Sequence, residues 1–127
     1  MRMPSIGDSL LVGHNISFDL GMLNKALAKE RHAAVANPSI DTLDLASLIM
    51  PTEHSYKLSH LATMFDIKEE NVHRAKDDAL MTGQLYLILV DKLAAFPVDI
   101  VNFLYYYAKV AGWTLANVLQ ALFGEKI

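Results

Sequence analysis

The sequence of 127 residues contains no cysteine and has little charge of either sign. Without cysteine, it has no disulfide, no cysteine-ligated zinc site and no iron–sulfur cluster. Charged residues make up 20% of the chain, below the usual value of about 25%, and the net charge is −3. This balance argues against binding of nucleic acid through bulk positive charge, which requires a basic surface. Any contact with nucleic acid is therefore expected to be local.

Hydrophobic residues make up 53% of the chain, which excludes a disordered protein and suffices for the core of one small domain. The apolar excess lies near the C-terminus, where Lys109 is the single charge in the 25 residues from Ile100 to Gly124. A membrane span is not expected there, because Gly112-Trp113-Thr114 is typical of a helix stop followed by a new N-cap. We predict two short buried helices instead. No secretion signal follows Met1, so a cytoplasmic protein is expected.

Apolar spacing predicts a strand, a tight turn and a helix early in the chain. Leu10-Leu11-Val12, closed by Gly13, suits a buried strand of a parallel sheet. The chain is predicted to turn at His14-Asn15. Apolar residues at helical spacing then predict a helix over 18–29, with Ser17 as its N-cap.

The remainder is predicted to be mostly helical. A short strand around Ile40 runs into a helical turn that ends before Pro51. A short helix is predicted within 56–65, and a long one from about Asp77 to Ala95. One apolar face of the long helix is predicted to consist of Leu80, Leu87, Val90 and Ala94. Met81, Leu85, Ile88 and Leu89 widen this face, so the helix is expected to be covered on most sides. The order βαβ followed by helices alone indicates an α/β fold.

Two groups of polar residues are candidates for chemistry, and the first is the segment Gly13-His14-Asn15-Ile16-Ser17-Phe18-Asp19. A strand end leads here into a polar turn, with Asp19 at the mouth of a helix. Ligands of α/β proteins bind at the carboxyl ends of strands, so a site is expected at this point. The alternative is structural: Asp19 would interact with the helix dipole, and His14 and Asn15 would bond the backbone of the turn.

The second group is the segment 73–78, with His73 five residues before Asp78 at a loop-to-helix junction. The helix would fix Asp78, while the loop would let the imidazole swing over the same cavity. A carboxylate can hold Mg²⁺, and a nearby histidine can take a proton from a metal-bound water. The alternative is again structural, since Asp77 and Asp78 also suit an ordinary first helical turn and His73 could be exposed to solvent.

Together and in this order, "LLVGHNISFDLGMLNKAL" and "HRAKDDALMTGQLY" resemble the DEDDh (DnaQ-like) 3′-to-5′ exonucleases. That group includes the epsilon proofreading subunit of bacterial replicative polymerase, the PolC proofreading domain and the exonuclease domain of DinG-type helicases. The resemblance covers roughly residues 10 to 90. It implies an α/β, helix-rich, partial ribonuclease H-like (exonuclease) fold. Residues 1–95 would form the partial exonuclease domain, and residues 96–127 a C-terminal helical extension packed on it.

The resemblance further implies hydrolysis of phosphodiester bonds of DNA by a two-metal mechanism. Asp19 and Asp78 would hold two Mg²⁺ or Mn²⁺ ions, and His73 would be the catalytic general base. The residues that would shape the nucleotide-binding site are His14, Asn15 and Phe18. For Phe18, packing in the core is an equally good explanation. The implied partner is nucleic acid, with a single-stranded DNA 3′ end as the expected substrate and a helicase or a polymerase as the parent protein.

One family motif is absent. An Asp-x-Glu on the opening strand normally precedes these segments, but here Asp8 is followed by Ser9 and Leu10. Two carboxylates balance only half the charge of two divalent ions. We therefore expect this chain alone to have little nuclease activity and to need an N-terminal segment that it lacks. The strand edge left exposed would favour a homodimer. Two alternatives stay open: a catalytically dead, nuclease-derived binding or assembly module, and an unrelated α-helical interaction protein.

Overall fold

The computed structural model describes residues 10–68, 75–113 and 115–124. Within these ranges the chain forms two short strands and six helices. The strands are β1 (Leu11–Gly13) and β2 (Ser39–Asp41), and the helices are α1 (Ile16–Lys29), α2 (Thr42–Ile49), α3 (Leu58–Met64), α4 (Ala75–Ala94), α5 (Val98–Ala111) and α6 (Leu115–Phe123). This order confirms the predicted helix-rich α/β fold, including the short second strand that leads directly into a helix.

The two strands pair in parallel, with Val12 opposite Ile40 and Gly13 opposite Asp41. Their apolar residues join the core, where Ile40 is buried and Val12 packs against the buried cluster. Because the strands are parallel, their carboxyl ends lie side by side at one edge of the sheet. Gly13 and Asp41 therefore bring the two following turns together.

The crossover between the strands consists of α1 and the extended segment 32–38. Asn24 on α1 fastens this segment, since its side-chain oxygen accepts a hydrogen bond from the Val35 amide at 2.7 Å. The Asn24 amide group donates in turn to the Val35 carbonyl at 3.3 Å. A single polar side chain thus satisfies both backbone groups of a residue in a segment without regular secondary structure.

Helix α1 begins earlier than predicted. Its N-cap is Asn15, which has left-handed backbone angles (φ 62°, ψ 44°), and not Ser17. The Asn15 side chain makes no capping hydrogen bond. The carboxylate of Asp41 at the end of β2 accepts the hydrogen bonds of the first helical amides instead. A cap supplied from 26 residues away along the chain leaves no local signal for N-cap prediction.

The prediction for the buried face of α4 was correct only in part, because Met81, Leu85 and Leu89 of the widened face are buried but most of the principal face is not. Leu80 and Leu87 are 56% and 67% exposed, and Ala94 is exposed as well. The side chains that enter the core repeat every four residues and are Met81, Leu85, Leu89 and Leu93. The helix is apolar on so many sides that its sequence leaves the choice of face open. The packing of α4 against β1, α2 and α3 decides which stripe is buried.

The C-terminal region forms two helices, as predicted, with Gly112 in the left-handed conformation (φ 73°) that ends α5. The predicted N-cap at Thr114 lies outside the described residues. The expectation that both helices are buried holds only in part, because Phe103, Tyr106 and Val110 on α5 are more than 60% exposed. In the described part of the chain, no helix is long and apolar enough to cross a membrane.

One continuous core joins these elements. It includes Leu45 of α2, Leu61 of α3 and Leu85 of α4 together with Val101 of α5 and Leu119 of α6. The last two helices also pack against each other. The C-terminal helices therefore share the core with the rest of the described chain. The division into a partial domain of residues 1–95 and an extension of residues 96–127 stays a prediction.

Candidate active site at the carboxyl ends of the strands

Asp41 organises the end of the sheet. One carboxylate oxygen accepts hydrogen bonds from the Asn15 amide at 2.7 Å and the Leu43 amide at 2.9 Å, and the other accepts from the Ile16 amide at 3.2 Å. Asn15 and Ile16 belong to the turn and the first residue of α1, while Leu43 lies in the first turn of α2. One side chain thus caps two helices and fixes the turn that leaves β1.

His14 is held within the same junction. Its Nε2 lies 2.6 Å from the carbonyl oxygen of Tyr56, which can only accept, so Nε2 carries a hydrogen and donates it. Its Nδ1 lies 2.8 Å from Oγ1 of Thr42, a buried residue whose hydroxyl also lies 3.2 Å from the Gly13 carbonyl oxygen. Both ring nitrogens of His14 therefore have partners inside the fold, neither of them in the backbone of its own turn.

The residues that follow His14 face solvent. Asn15 and Asp19 are exposed, and Phe18 is 62% exposed, so the alternative of core packing for Phe18 is wrong. Asp19 lies in the first turn of α1, where the helix dipole favours a carboxylate. The turn and the first turn of α1 thus present an amide, an aromatic ring and a carboxylate at the carboxyl end of β1.

The second predicted group lies at the start of α4, which packs against β1. Asp77 and Asp78 both lie in its first turn, where Asp77 is half-buried and Asp78 is exposed. His73 falls outside the described residues. The helix that carries Asp78 therefore packs against the strand that precedes Asp19.

The donor set suits a divalent metal ion but is incomplete. Asp19 and Asp78 are exposed carboxylates on helical backbones, and Mg²⁺ and Mn²⁺ prefer oxygen ligands. Among the residues that the structure describes, the only group of three metal-ligating side chains brought close together consists of Glu53, His54 and His60. That group includes neither Asp19 nor Asp78.

A cavity of about 670 Å³ lies beside this site, between the start of α1, the β2–α2 junction and the turn between α5 and α6. Asp41, Asp44 and Trp113 line it, whereas Asp19 and Asp78 do not. Burial raises the pKa of Asp44 above its usual value, and the neighbouring charge of Asp41 raises it further. Asp41 and Asp44 thus contribute two carboxylates to the lining of this cavity.

Sequence reasoning missed the residues that fix the turn. Asp41, Thr42 and Tyr56 hold it by hydrogen bonds that span 25 to 42 residues. A signal was available for Asp41, since an aspartate between an apolar strand and a helical pattern is a typical N-cap, and Asp41 does cap α2. No local pattern indicates that it also caps α1.

Known proteins resemble this chain along most of its length. A sequence model of the exonuclease family (RNase T) matches residues 5–86. Two similar proteins are the 3′-5′ exonuclease DinG of Staphylococcus haemolyticus (strain JCSC1435), with 38% identity over 112 residues, and that of Staphylococcus aureus (strain USA300), with 34% identity over 113 residues. These alignments cover 88% and 89% of this chain but 12% and 13% of the relatives, so the chain spans about one eighth of their length. No solved structure matches significantly.

Proposed function

The chain belongs to the exonuclease family, and on that premise we propose that it is the part of a 3′-to-5′ exonuclease domain that carries two metal-binding aspartates and the general base. Its substrate is the 3′ end of DNA, most simply a single strand. The relatives named 3′-5′ exonuclease DinG support this direction of hydrolysis and suggest that the parent protein is a helicase of that type. A polymerase-associated proofreading domain is the other parent that the family resemblance allows.

The observation that carries the proposal is the exposed turn at the carboxyl end of β1. The segment Gly13–Asp19 follows a parallel strand, at the edge of the sheet where α/β proteins bind ligands. Helix α4, which bears Asp78 in its first turn, packs against the same strand. The two sequence segments on which the family resemblance rests thus belong to packed neighbours.

In the proposed mechanism, this chain binds and orients the terminal nucleotide. Phe18 offers an exposed ring on which the last base stacks, a contact worth about 1–3 kcal/mol per base in single-strand binding. Asn15 lies beside it with an exposed amide. His14 acts indirectly, because both its ring nitrogens are engaged in holding the turn. The rigid junction around Asp41 keeps these groups fixed when substrate arrives.

The chemical step requires a proton acceptor and metal ligands. His73 takes the proton of the attacking water, a role suited to an imidazole near neutral pH. Asp19 and Asp78 hold Mg²⁺ or Mn²⁺. Two such ions, when bound, activate water and stabilise the leaving 3′ oxygen. The carboxylates absent from this sequence would come from another segment or chain that carries the family's Asp-x-Glu. A second copy of this chain, a helicase or a polymerase would be the protein partner.

The proposal therefore includes low activity for this chain by itself. It is tested with single-stranded DNA labelled at the 5′ end, incubated with Mg²⁺ or Mn²⁺ and either this chain or a fusion that adds an Asp-x-Glu strand before Leu10. We expect the fusion to shorten the DNA stepwise and the unfused chain to shorten it little. Asp19→Asn and Asp78→Asn should abolish this shortening, while Asp77→Asn, one position away in the same helical turn, should leave most of it.

Two results would change the conclusion. Robust EDTA-sensitive hydrolysis by the unfused chain, abolished by Asp78→Ala, would overturn the expectation that the site is incomplete. A folded fusion that binds single-stranded DNA without shortening it would overturn the proposed enzymatic activity. It would favour the binding or assembly module instead. Among the described residues, neither Asp19 nor Asp78 belongs to a group of three metal-ligating side chains within 4.8 Å of one another, and this observation favours the second function.

A further inference from the structure

A second group of metal-ligating side chains lies in the loop between α2 and α3 and in α3 itself. It consists of Glu53, His54 and His60, whose ligand atoms all lie within 4.8 Å of one another. The two imidazole rings form a T-shaped pair with their centroids 4.6 Å apart and their planes at 71°. Side chains from a loop and from a helix thus lie close together, although their spacing in the sequence does not require this contact.

His60 also has an unsatisfied nitrogen. Its Nε2 is buried and has no hydrogen-bond partner. A buried polar atom without a partner destabilises the folded state, and coordination of an ion by that nitrogen would remove this cost. The His60 side chain therefore has an unpaired nitrogen, and Glu53 and His54 lie close to the same side chain.

The three donor groups favour Zn²⁺ over Mg²⁺ at this position. Two imidazoles and one carboxylate form a set that Zn²⁺ uses, with a water as the fourth ligand. Mg²⁺ prefers sites made of oxygen alone, so this group differs from the carboxylates Asp19 and Asp78. Tetrahedral bonds of about 2.0–2.1 Å place ligand atoms about 3.3 Å apart. Closing the remaining distance would require rotation of the exposed His54 and the half-buried Glu53.

The loop that would hold the ion is already attached to the candidate active site. The Tyr56 hydroxyl donates to the Met50 carbonyl at 2.5 Å, which closes the loop on itself. The Tyr56 carbonyl in turn accepts the hydrogen bond from His14 at 2.6 Å. An ion bound by residues 53, 54 and 60 would restrain both sides of Tyr56 and, through it, His14 and the turn that carries Asp19.

We propose that Glu53, His54 and His60 bind one Zn²⁺ ion, which fastens the α2–α3 loop beneath the turn of the candidate active site. This site is separate from the carboxylates of the proposed exonuclease and does not depend on that function. An ion that binds only the folded chain stabilises it by an amount that grows with the logarithm of the free ion concentration.

The test measures Zn²⁺ binding by the complete chain in competition with a chromophoric chelator, and the melting temperature with and without Zn²⁺. We expect one Zn²⁺ per chain and a rise in melting temperature that Mg²⁺ does not reproduce. His54→Asn and His60→Asn should each lower the affinity at least about tenfold, the lower end of the loss caused even by removing an outer partner of a ligand. His32→Asn, at a half-buried histidine just after the end of α1, is the matched control and should bind normally.

The proposed site is overturned if the unaltered chain shows no saturable Zn²⁺ binding, or if the affinity is unchanged in His54→Asn. Because His54 is exposed, we expect His54→Asn to fold, and it tests the site even if His60→Asn fails to fold. Loss of Zn²⁺ binding in an Asp19→Asn, Asp78→Asn double variant would assign the ion to the exonuclease carboxylates and refute the proposal. Normal Zn²⁺ binding in that variant would separate the two sites.

Discussion

Replacing Asp41 by alanine should loosen the ends of both strands and the starts of two helices at once. The carboxylate accepts three backbone amide hydrogen bonds, two at the start of α1 and one in α2. Loss of one N-cap acceptor costs about 1 kcal/mol and up to about 2. Since Asp41 caps two helices and is half-buried, we expect Asp41→Ala to lower the free energy of unfolding by about 2–3 kcal/mol.

For a domain of this size, that loss corresponds to a fall in melting temperature of roughly 6–12 °C. Urea denaturation followed by circular dichroism measures the free energy directly. Asp41→Asn keeps one acceptor oxygen and should lose about half as much. Asp44→Ala removes a carboxylate three residues away that takes no part in the cap of α1, and should change stability by less than about 1 kcal/mol. Equal midpoints for Asp41→Ala and Asp44→Ala would refute the double cap.

Two further predictions concern the same junction. A Cβ at Gly13 would lie 2.8 Å from Cβ of Ile16, so Gly13→Ala should destabilise the chain by about 1–3 kcal/mol in a urea titration, whereas Gly21→Ala, which meets open space in the middle of α1, should stabilise it by about 0.5–1 kcal/mol. Equal effects of the two alanines would contradict the close contact. The raised pKa of Asp44 means that the folded state holds this proton more tightly than the unfolded state does. The free energy of unfolding, relative to that of Asp44→Asn, should therefore fall as the pH rises from 3.8 through the higher pKa of the folded state. A difference in unfolding free energy that does not change with pH would contradict the raised pKa.

The elements of the fold were largely predictable because their signals are local. Gly112, in its left-handed conformation, ends α5 where the sequence predicts a helix stop. The apolar run that ends at Gly13 forms β1, and the strand predicted around Ile40 leads directly into α2. Each of these signals depends on a few neighbouring residues, which act in the same way whatever lies around them.

The buried face of α4 could not be predicted in the same way. Leu80 and Leu85 are both apolar and lie on one helix, yet the first is 56% exposed and the second is fully buried. Periodicity identifies apolar positions, but on a helix with apolar residues on many sides it does not choose among them. That choice depends on where β1, α2 and α3 meet the helix.

For the candidate site, the sequence by itself determined which residues are present: the Gly13–Asp19 segment, with Asp19 in the first turn of α1, and Asp78 in the first turn of α4. Only the tertiary structure decided what surrounds them. The cap from Asp41, the contacts of His14, and the approach of His60 to His54 join residues that lie 6 to 42 positions apart in the chain. Local propensity acts over one or two helical turns, whereas such contacts arise only when the apolar faces pack and bring distant polar groups within hydrogen-bond distance.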